Sequence, residues 1–421
     1  MASERPGMVI VGAGECGTRA ALALREQGYA GPVTLIGAER HHPYERPPLS
    51  KGLGSGTADL APREIVTREG LADLAIDWIA PAEAQAIDRP ARAVRLADGR
   101  SVPYDTLLLA TGASPRRLAL AEGSAHCGTL RTLDDALAIR RRLGPGTRLA
   151  VIGGGFIGLE LAAAARETGA AVTVIETQPR ILGRGVPAEI ASLIHARHLA
   201  HGVRILCGQG LAAITDRRDG VSLTFEDGET VEADLAVIGI GAVPNTALAA
   251  AAGLTIDNGI AVDGRLRTID PHVFAAGDCC SFPLSVYGGR RVRLEAWRNA
   301  QEQGTLVAGT MLGRDDVHSA VPWFWSDQFD LGLQVAGLLD EASDTVRRDL
   351  GPEAVILFHR AADGRLVAAS GLGPGTNIAR EMRLAELLIA AGARPSGKDL
   401  ASPAIKLKAL LAASPARSDA A

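Results

Sequence analysis

The sequence predicts an α/β protein with two Rossmann-like, doubly wound dinucleotide-binding domains followed by a smaller α+β domain. Three observations predict it. A strand, a glycine-rich turn, a helix and a second strand occur in that order twice. Further apolar runs stop at turns rich in Gly, Pro or Asn, and the chain changes character after Pro322. Continuous apolar strands alternating with helices indicate parallel sheets covered on both faces.

The first unit opens with the apolar run 8–12, followed by Gly12-Ala13-Gly14-Glu15-Cys16-Gly17, a helix over 20–25 and a strand at Val33–Ile36. The pattern recurs as strand 149–152, the turn Gly153-Gly154-Gly155-Phe156-Ile157-Gly158, a helix through Glu167 and a strand over 171–175. A lone GxGxxG is common, but each copy here follows a strand, opens a helix and ends on a second strand, the context the motif requires. Three more buried strands are expected. Residues 104–110 end at Thr111-Gly112-Ala113, 235–241 end with Gly241 before Ala242-Val243-Pro244-Asn245, and 273–276 run into Gly277-Asp278. α/β sheets place ligands at such strand ends. After Trp323-Phe324-Trp325 come strand-like runs at 331–335 and 354–358, a helix over 380–390 and a Pro- and Ala-rich tail whose last residues are expected to fray.

Bulk properties bound the function. A chain of 421 residues is too long for one ordinary core. Its 44 basic and 48 acidic residues leave a net charge of −4, which argues against general nucleic-acid binding. Residues 1–8 are polar, with no apolar signal core, and no later run has membrane-spanning length, so the expected compartment is the cytoplasm with no membrane contact. Cys16, Cys127, Cys207, Cys279 and Cys280 include no CxxC or CxxxxC pair, so neither a zinc knuckle nor an active disulfide is indicated. Cys279 and Cys280 are expected to be two small semi-buried residues.

The glycines carry chemistry. Gly12 permits a tight turn, Gly14 lets the backbone approach a pyrophosphate, and Gly17 lets the helix pack on its strand; the helix N-terminus then presents unpaired N–H groups to the phosphates. Glu39 is the nearest acidic acceptor for the ribose of the first dinucleotide, with a solvated loop glutamate as the alternative. In the second unit Gly153, Gly155 and Gly158 take the same roles, with Ile157 beside them. Glu176 follows about 23 residues beyond Gly153, where a carboxylate accepts from the ribose hydroxyls and repels an extra phosphate. NADH is therefore expected over NADPH, with Arg180 and Arg184 as groups that could rescue NADPH. Two dinucleotides in one chain suggest a bound flavin, FAD, that exchanges electrons with a nicotinamide.

Four segments then occur in order: Tyr44-Glu45-Arg46-Pro47-Pro48-Leu49-Ser50-Lys51, Ala110-Thr111-Gly112, Phe274-Ala275-Ala276-Gly277-Asp278 and Pro322-Trp323-Phe324-Trp325-Ser326-Asp327-Gln328. On these the chain, from about residue 8 to about 412, resembles the NADH-dependent ferredoxin reductases that serve cytochromes P450 and ring-hydroxylating dioxygenases, within the wider pyridine nucleotide–disulfide reductase fold. The resemblance implies the glutathione-reductase-like arrangement: an FAD domain split over 1–114 and 243–321, an NAD domain at 115–242 and a C-terminal domain at 322–421. It implies that Lys51 lies close to the flavin and pairs with Glu160 where the nicotinamide enters, and that Arg46 and Pro47 line the flavin pocket. It also implies that Asp278 holds the ribityl chain, that Thr111, Gly112 and Arg131 contact FAD, that Glu295, Ala296 and Trp297 flank the isoalloxazine, and that Trp323 and Trp325 close its far side.

The implied reaction is hydride transfer from NADH to FAD, then single-electron transfers to a [2Fe–2S] ferredoxin or a rubredoxin. Stretch 39–51 has no cysteine, so no thiol relay is expected beside the flavin. The sequence departs from the family at Ala38, where an acidic residue is frequent, and at Cys16, where a small residue is usual and a bulky thiol adduct would obstruct FAD. The alternatives are an NADH oxidase or diaphorase without a dedicated partner, and an apoptosis-inducing-factor-like protein whose association responds to NADH. The expected assembly is a monomer or weak homodimer.

Overall fold

A computed structural model describes residues 6–54 and 62–413; the frayed tail expected at the C-terminus lies almost wholly outside the described residues. The chain forms two compact units.

The first unit comprises Met1–Arg46, Pro62–Ser114 and Ala242–Ala320. Its main sheet has five parallel strands in the order Val273–Ala275, Thr106–Leu109, Met8–Val11, Val33–Ile36 and Ile76–Ile79. Every residue of the three strands built on Val9, Leu35 and Phe274 is buried, which is why these runs are apolar without alternation. The helix Glu15–Glu26 starts directly at the glycine turn rather than at residue 20, because Thr18 N already donates to Gly14 O at 3.0 Å. It lies against the helix Trp297–Met311 at Gly304, where an added Cβ would come within 2.6 Å of the Cys16 carbonyl oxygen.

The second unit comprises Pro47–Ala61, Pro115–Gly241 and Val321–Ala421. Its parallel sheet repeats the first in the order Arg204–Cys207, Ala171–Glu176, Arg148–Ile152, Leu235–Ile238 and Cys127–Thr129. The strand expected to stop at residue 175 runs one residue further, since Glu176 still pairs in register with Cys207. The chain beyond Val321 forms an antiparallel sheet in the order Trp323–Gln328, Leu331–Gly337, Leu366–Pro374, Val355–Arg360 and Asp344–Asp349, with the helix Ala379–Ala390 packed on it. The tryptophan-rich segment is itself the sheet's first strand, and the two strands expected at 331–335 and 354–358 are longer than their apolar cores.

Three histidines are sealed in these cores. His198, His318 and His359 are at most 4 % exposed, and burial pushes each down to about 4. The unfolded chain then binds more protons than the fold at any pH between about 4 and 6.5, so their contribution is whole at neutral pH and is lost as the pH falls through that window. Urea unfolding should show each histidine removing about 2 kcal/mol between about pH 7 and about pH 5, with His359→Gln flattening the dependence of the C-terminal sheet.

Candidate functional site

In the first unit the carboxyl ends of the central strands converge. Gly12 follows Val11, Thr111 and Gly112 follow the strand Thr106–Leu109, and Gly277 and Asp278 follow Val273–Ala275. Gly12 holds φ +116, and a Cβ there would sit 2.1 Å from the Ala110 carbonyl oxygen. At Gly17 a Cβ would meet the Gly12 carbonyl oxygen at 1.9 Å. Gly14 is different: nothing lies within 4 Å of its Cβ position, and as the helix N-cap it has no side-chain cap. The turn is closed behind by Gly12 and Gly17 and open in front at Gly14, with N–H groups of the first turn left for an anion. These residues fit a dinucleotide pyrophosphate.

Around this turn the structure brings together several expected residues. Glu39 is not a solvated loop glutamate: Arg46 Nη2 donates to it at 2.6 Å and Tyr44 OH at 2.5 Å. Thr111 Oγ1 donates to Asn245 O at 2.7 Å, and Asn245 Nδ2 returns a bond to Thr111 O at 2.9 Å, which locks the strand end. Trp297 opens the helix Trp297–Met311 behind Ala296, and its indole donates to Glu15 Oε2 at 3.0 Å. Burial, opposed by the bond from Gln301, pushes the Glu15 carboxyl up. Glu295 pairs with Arg293, and Asp278 sits half-buried in the turn Gly277–Cys279. Cys16, Cys279 and Cys280 are fully rather than partly buried, and burial pushes all three thiols up; all five cysteines are free.

The second unit repeats the cradle. The nearest atom to a Cβ on Gly155 is the Gly239 carbonyl oxygen at 4.0 Å, while Gly153 and Gly158 are closed by backbone at 2.4 and 2.2 Å. The helix Phe156–Glu167 starts at Gly155 without a side-chain cap, and Ile157 in its first turn is 47 % exposed, an apolar face open beside the free N–H groups. Glu176 is pinned to this loop: Gly154 N donates to Oε2 at 2.7 Å and Gln178 N to Oε1 at 2.8 Å. Arg180 is committed elsewhere, donating to the carbonyl oxygens of Leu182 at 2.9 Å and Val186 at 3.1 Å among others. Gly241, at φ +105, ends this region with its carbonyl accepting from Arg116 N, and Arg131 N is held by Asp135 at the start of the helix Leu133–Arg140.

Lys51 and Glu160 meet in this unit. Lys51 Nζ lies 2.6 Å from Glu160 Oε1, 3.4 Å from Asp327 Oδ2 and 6.0 Å from the centre of the Trp325 ring. Pro47 N-caps the short helix Pro48–Lys51 that delivers the lysine. Trp323 and Trp325 stack on one face of their strand at 5.5 Å, and Trp325 Nε1 donates to Asp327 at 3.1 Å. Two further donors reach the Glu160 carboxylate, Ser50 Oγ at 2.6 Å and Ser326 Oγ at 2.6 Å, which sequence reading did not single out. The signal was available in Glu160 itself, an acidic residue in an otherwise apolar helix segment.

Comparison with known proteins decides the family. Residues 6–304 match the family "Pyridine nucleotide-disulphide oxidoreductase" and residues 323–411 match "Reductase C-terminal". The ferredoxin--NAD(+) reductase component of the anthranilate 1,2-dioxygenase system of Burkholderia cepacia is 41 % identical over 96 % of this chain and 98 % of its own. The rubredoxin-NAD(+) reductase of Pseudomonas putida is 40 % identical over 79 % of this chain and 87 % of its own. A crystal structure of the covalent putidaredoxin reductase–putidaredoxin complex superposes with a TM-score of 0.92 at 34 % identity, covering 98 % of this chain and 99 % of that one. The chain belongs to the NADH-dependent ferredoxin reductase family. FAD and NADH are the cofactors of this family, and the two glycine cradles fit them.

Three variants check the cradles. Gly14→Ala should leave the apoprotein's melting temperature unchanged, because nothing of the protein lies within 4 Å of that Cβ, and should lower its FAD content, because the methyl would stand where the pyrophosphate approaches the turn. Gly17→Ala should lose both, with about 2 kcal/mol or more of stability gone to the backbone collision. Glu176→Ala should narrow the ratio of kcat/KM for NADH over NADPH about tenfold, or ~1.4 kcal/mol.

Proposed function

We propose that this chain takes a hydride from NADH bound at Gly153–Gly158 of the second unit and delivers electrons singly to a [2Fe–2S] ferredoxin or a rubredoxin that feeds a cytochrome P450 or a ring-hydroxylating oxygenase. The observation that carries the reading is a pair of uncapped glycine-turn helices, each at the carboxyl edge of its own parallel sheet, in a chain whose described cysteines form no disulfide. FAD supplies the step from a two-electron donor to one-electron release. We read 1–114 with 243–321 as the FAD-binding segments, 115–242 as the NAD-binding segment and 322–421 as the C-terminal domain.

The protein's own groups bind and orient. Gly12, Gly14 and Gly17 with the helix N-terminus hold one pyrophosphate, with Cys16 packed behind the turn. Glu39, fixed by Arg46 and Tyr44, receives the ribose, and Asp278, Thr111, Gly112, Glu295, Ala296 and Trp297 complete the FAD contacts of the first unit; the family resemblance assigns Arg131, Pro47 and Trp325 of the second unit to FAD as well. Gly153, Gly155, Ile157, Gly158 and Gly241 hold NADH, and the pinned Glu176 selects it over NADPH by charge. Lys51, held by Glu160, is the positive group that stabilises charge developing during hydride transfer. Alignment does most of the work, since no proton needs to be moved by a side chain. Among the described residues no helix is long and apolar enough to cross a membrane. We place the protein in the cytoplasm, where NADH is the available reductant.

Anaerobic stopped-flow tests the reading. NADH should bleach the flavin about tenfold faster than NADPH or more, and reoxidation should accelerate in proportion to added ferredoxin or rubredoxin. Bleaching by NADH that no carrier reverses would favour a diaphorase or an NADH-responsive binding protein and sink the electron-transfer role.

A further inference from the structure

The strand Trp323–Gln328 alternates, as strands must. Trp323, Trp325 and Asp327 share one face with Lys51, while Phe324, Ser326 and Gln328 point the other way. Phe324 packs edge-on against Phe156 at 5.0 Å. Beyond it a continuous hydrogen-bonded chain runs inward. Ser326 Oγ lies 2.6 Å from Glu160 Oε1, Gln328 Nε2 lies 3.1 Å from Ser326 Oγ, and Gln328 Oε1 lies 2.9 Å from His198 Nε2. Glu160, Ser326, Gln328 and His198 are 7, 0, 2 and 0 % exposed, so the inner end is shut off from bulk solvent.

The protons along this chain have one consistent order. His198 is neutral at ordinary pH, because burial holds it near 4 and its bond to Gln328 only partly offsets that; it carries a single N–H. Among the described residues its Nδ1 has no hydrogen-bond partner. With the proton on Nε2, His198 donates to the Gln328 carbonyl, the Gln328 amide donates to Ser326, and Ser326 is left to donate its only proton to Glu160. Reversing the amide would make Ser326 donate to Gln328. Two lone pairs would then face each other 2.6 Å apart at Glu160, and the His198 N–H would point from Nδ1, where nothing accepts it. Burial makes either fault costly, so the chain is directional.

We propose that Ser326, Gln328 and His198 are positioning residues: a one-way hydrogen-bond chain from His198 delivers a donor to Glu160 and fixes the carboxylate rotamer that grips Lys51. The chain is anchored at its far end. His201 stacks on Phe329 at 3.9 Å and Arg197 pairs with Asp330 at 2.5 Å, so the turn after Gln328 is seated on the helix Ala188–Ala200 and its C-cap. Without the Ser326 proton, Glu160 Oε1 keeps Lys51 as its one partner among the described residues, and the ammonium can move toward Asp327, already 3.4 Å away. The consequence for hydride transfer rests on the role of Lys51 proposed above; the consequence for Lys51 itself does not.

Full-length FAD-loaded protein and its variants Ser326→Ala, Ser326→Thr and Gln328→Glu test it. The carboxylate introduced by Gln328→Glu can accept from both neighbours but cannot donate, so it turns the Ser326 proton away from Glu160 while keeping the side-chain volume. Three readouts are taken: the rate of Lys51 acylation by an amine-selective acetylating reagent, followed by peptide mass spectrometry; NAD+ affinity from the flavin absorption; and the limiting rate of flavin reduction by NADH. Ser326→Ala and Gln328→Glu should each speed Lys51 acylation about tenfold and slow reduction about tenfold, with Ser326→Thr within about twofold of the parent on both. NAD+ affinity should change less than the rate, since the cradle glycines are untouched. Unchanged acylation in the Ala and Glu variants, or a Thr variant as impaired as Ala, overturns the inference. Altered acylation with an unreactive parent enzyme would instead leave the positioning chain standing and remove the proposed function.

Discussion

The helix Phe156–Glu167 reads Phe-Ile-Gly-Leu-Glu-Leu-Ala-Ala-Ala-Ala, and one carboxylate inside it stands 7 % exposed. A charge in that position is tolerable only if it is paired and bonded on every side. Much of the second unit's arrangement answers that demand. The turn ending in Ser50 and Lys51 supplies two donors and the first strand of the C-terminal sheet supplies a third. Segments far apart in the chain, from 47–51, 156–167 and 323–328, are therefore tied together at one point. That point lies one helical turn beyond the glycine cradle, which is where the proposed function puts Lys51 to work.

The two cradles show how one backbone device is given two uses. Both leave the helix N-terminus without a side-chain cap, which keeps N–H groups for phosphate. They differ in what holds the acidic residue after the second strand. Glu176 is bonded by the loop's own backbone, a rigid arrangement that keeps its charge fixed at the cradle. Glu39 is neutralised by Arg46 and bonded by Tyr44, so its charge is balanced within the fold. A pinned carboxylate held only by neutral donors discriminates against a second phosphate, whereas a balanced one does not. On the proposed reading, the acidic residue that would select NADH over NADPH is the one held by backbone amides rather than by a cation.

The glycine cradles and the strands beside them were legible in the sequence because their causes are local. A Cβ at Gly17 collides with the Gly12 carbonyl of the same turn, whose shape the motif dictates, whereas the Ala110 carbonyl that excludes a Cβ at Gly12 comes from a neighbouring strand. Element ends were less legible: the first helix begins at Glu15 because the turn winds into it without a break, and Glu176 belongs to its strand because Cys207 pairs with it. The inner hydrogen-bond chain was not legible at all. Ser326 meets a residue 166 positions away and Gln328 one 130 positions away, and neither spacing leaves a local mark. What the sequence did hold was a run of polar residues, Ser326-Asp327-Gln328, directly after three aromatics, together with a glutamate between two leucines of an apolar helix. Such anomalies mark that a partner exists without saying which residue it is.

The buried cysteines complete the physical picture by what they decline to do. Cys16, Cys279 and Cys280 lie beside the first cradle, close enough that Cys16 Sγ would be 3.3 Å from a Cβ on Gly277. Burial pushes their thiols up, away from the thiolate that disulfide chemistry needs. All three side chains are buried in the packing around the first cradle. Related folds that relay electrons through a thiol pair need an exposed, acidified cysteine beside the ring, and stretch 39–51 offers none. Without a thiol relay, the electrons pass from the flavin straight to an external acceptor, and in the family to which this chain belongs that acceptor is a ferredoxin or rubredoxin. One two-dinucleotide fold can in this way serve enzymes with different acceptors: the fold fixes the entry of the hydride, and the exit is decided by which few side chains stand, or fail to stand, beside the flavin.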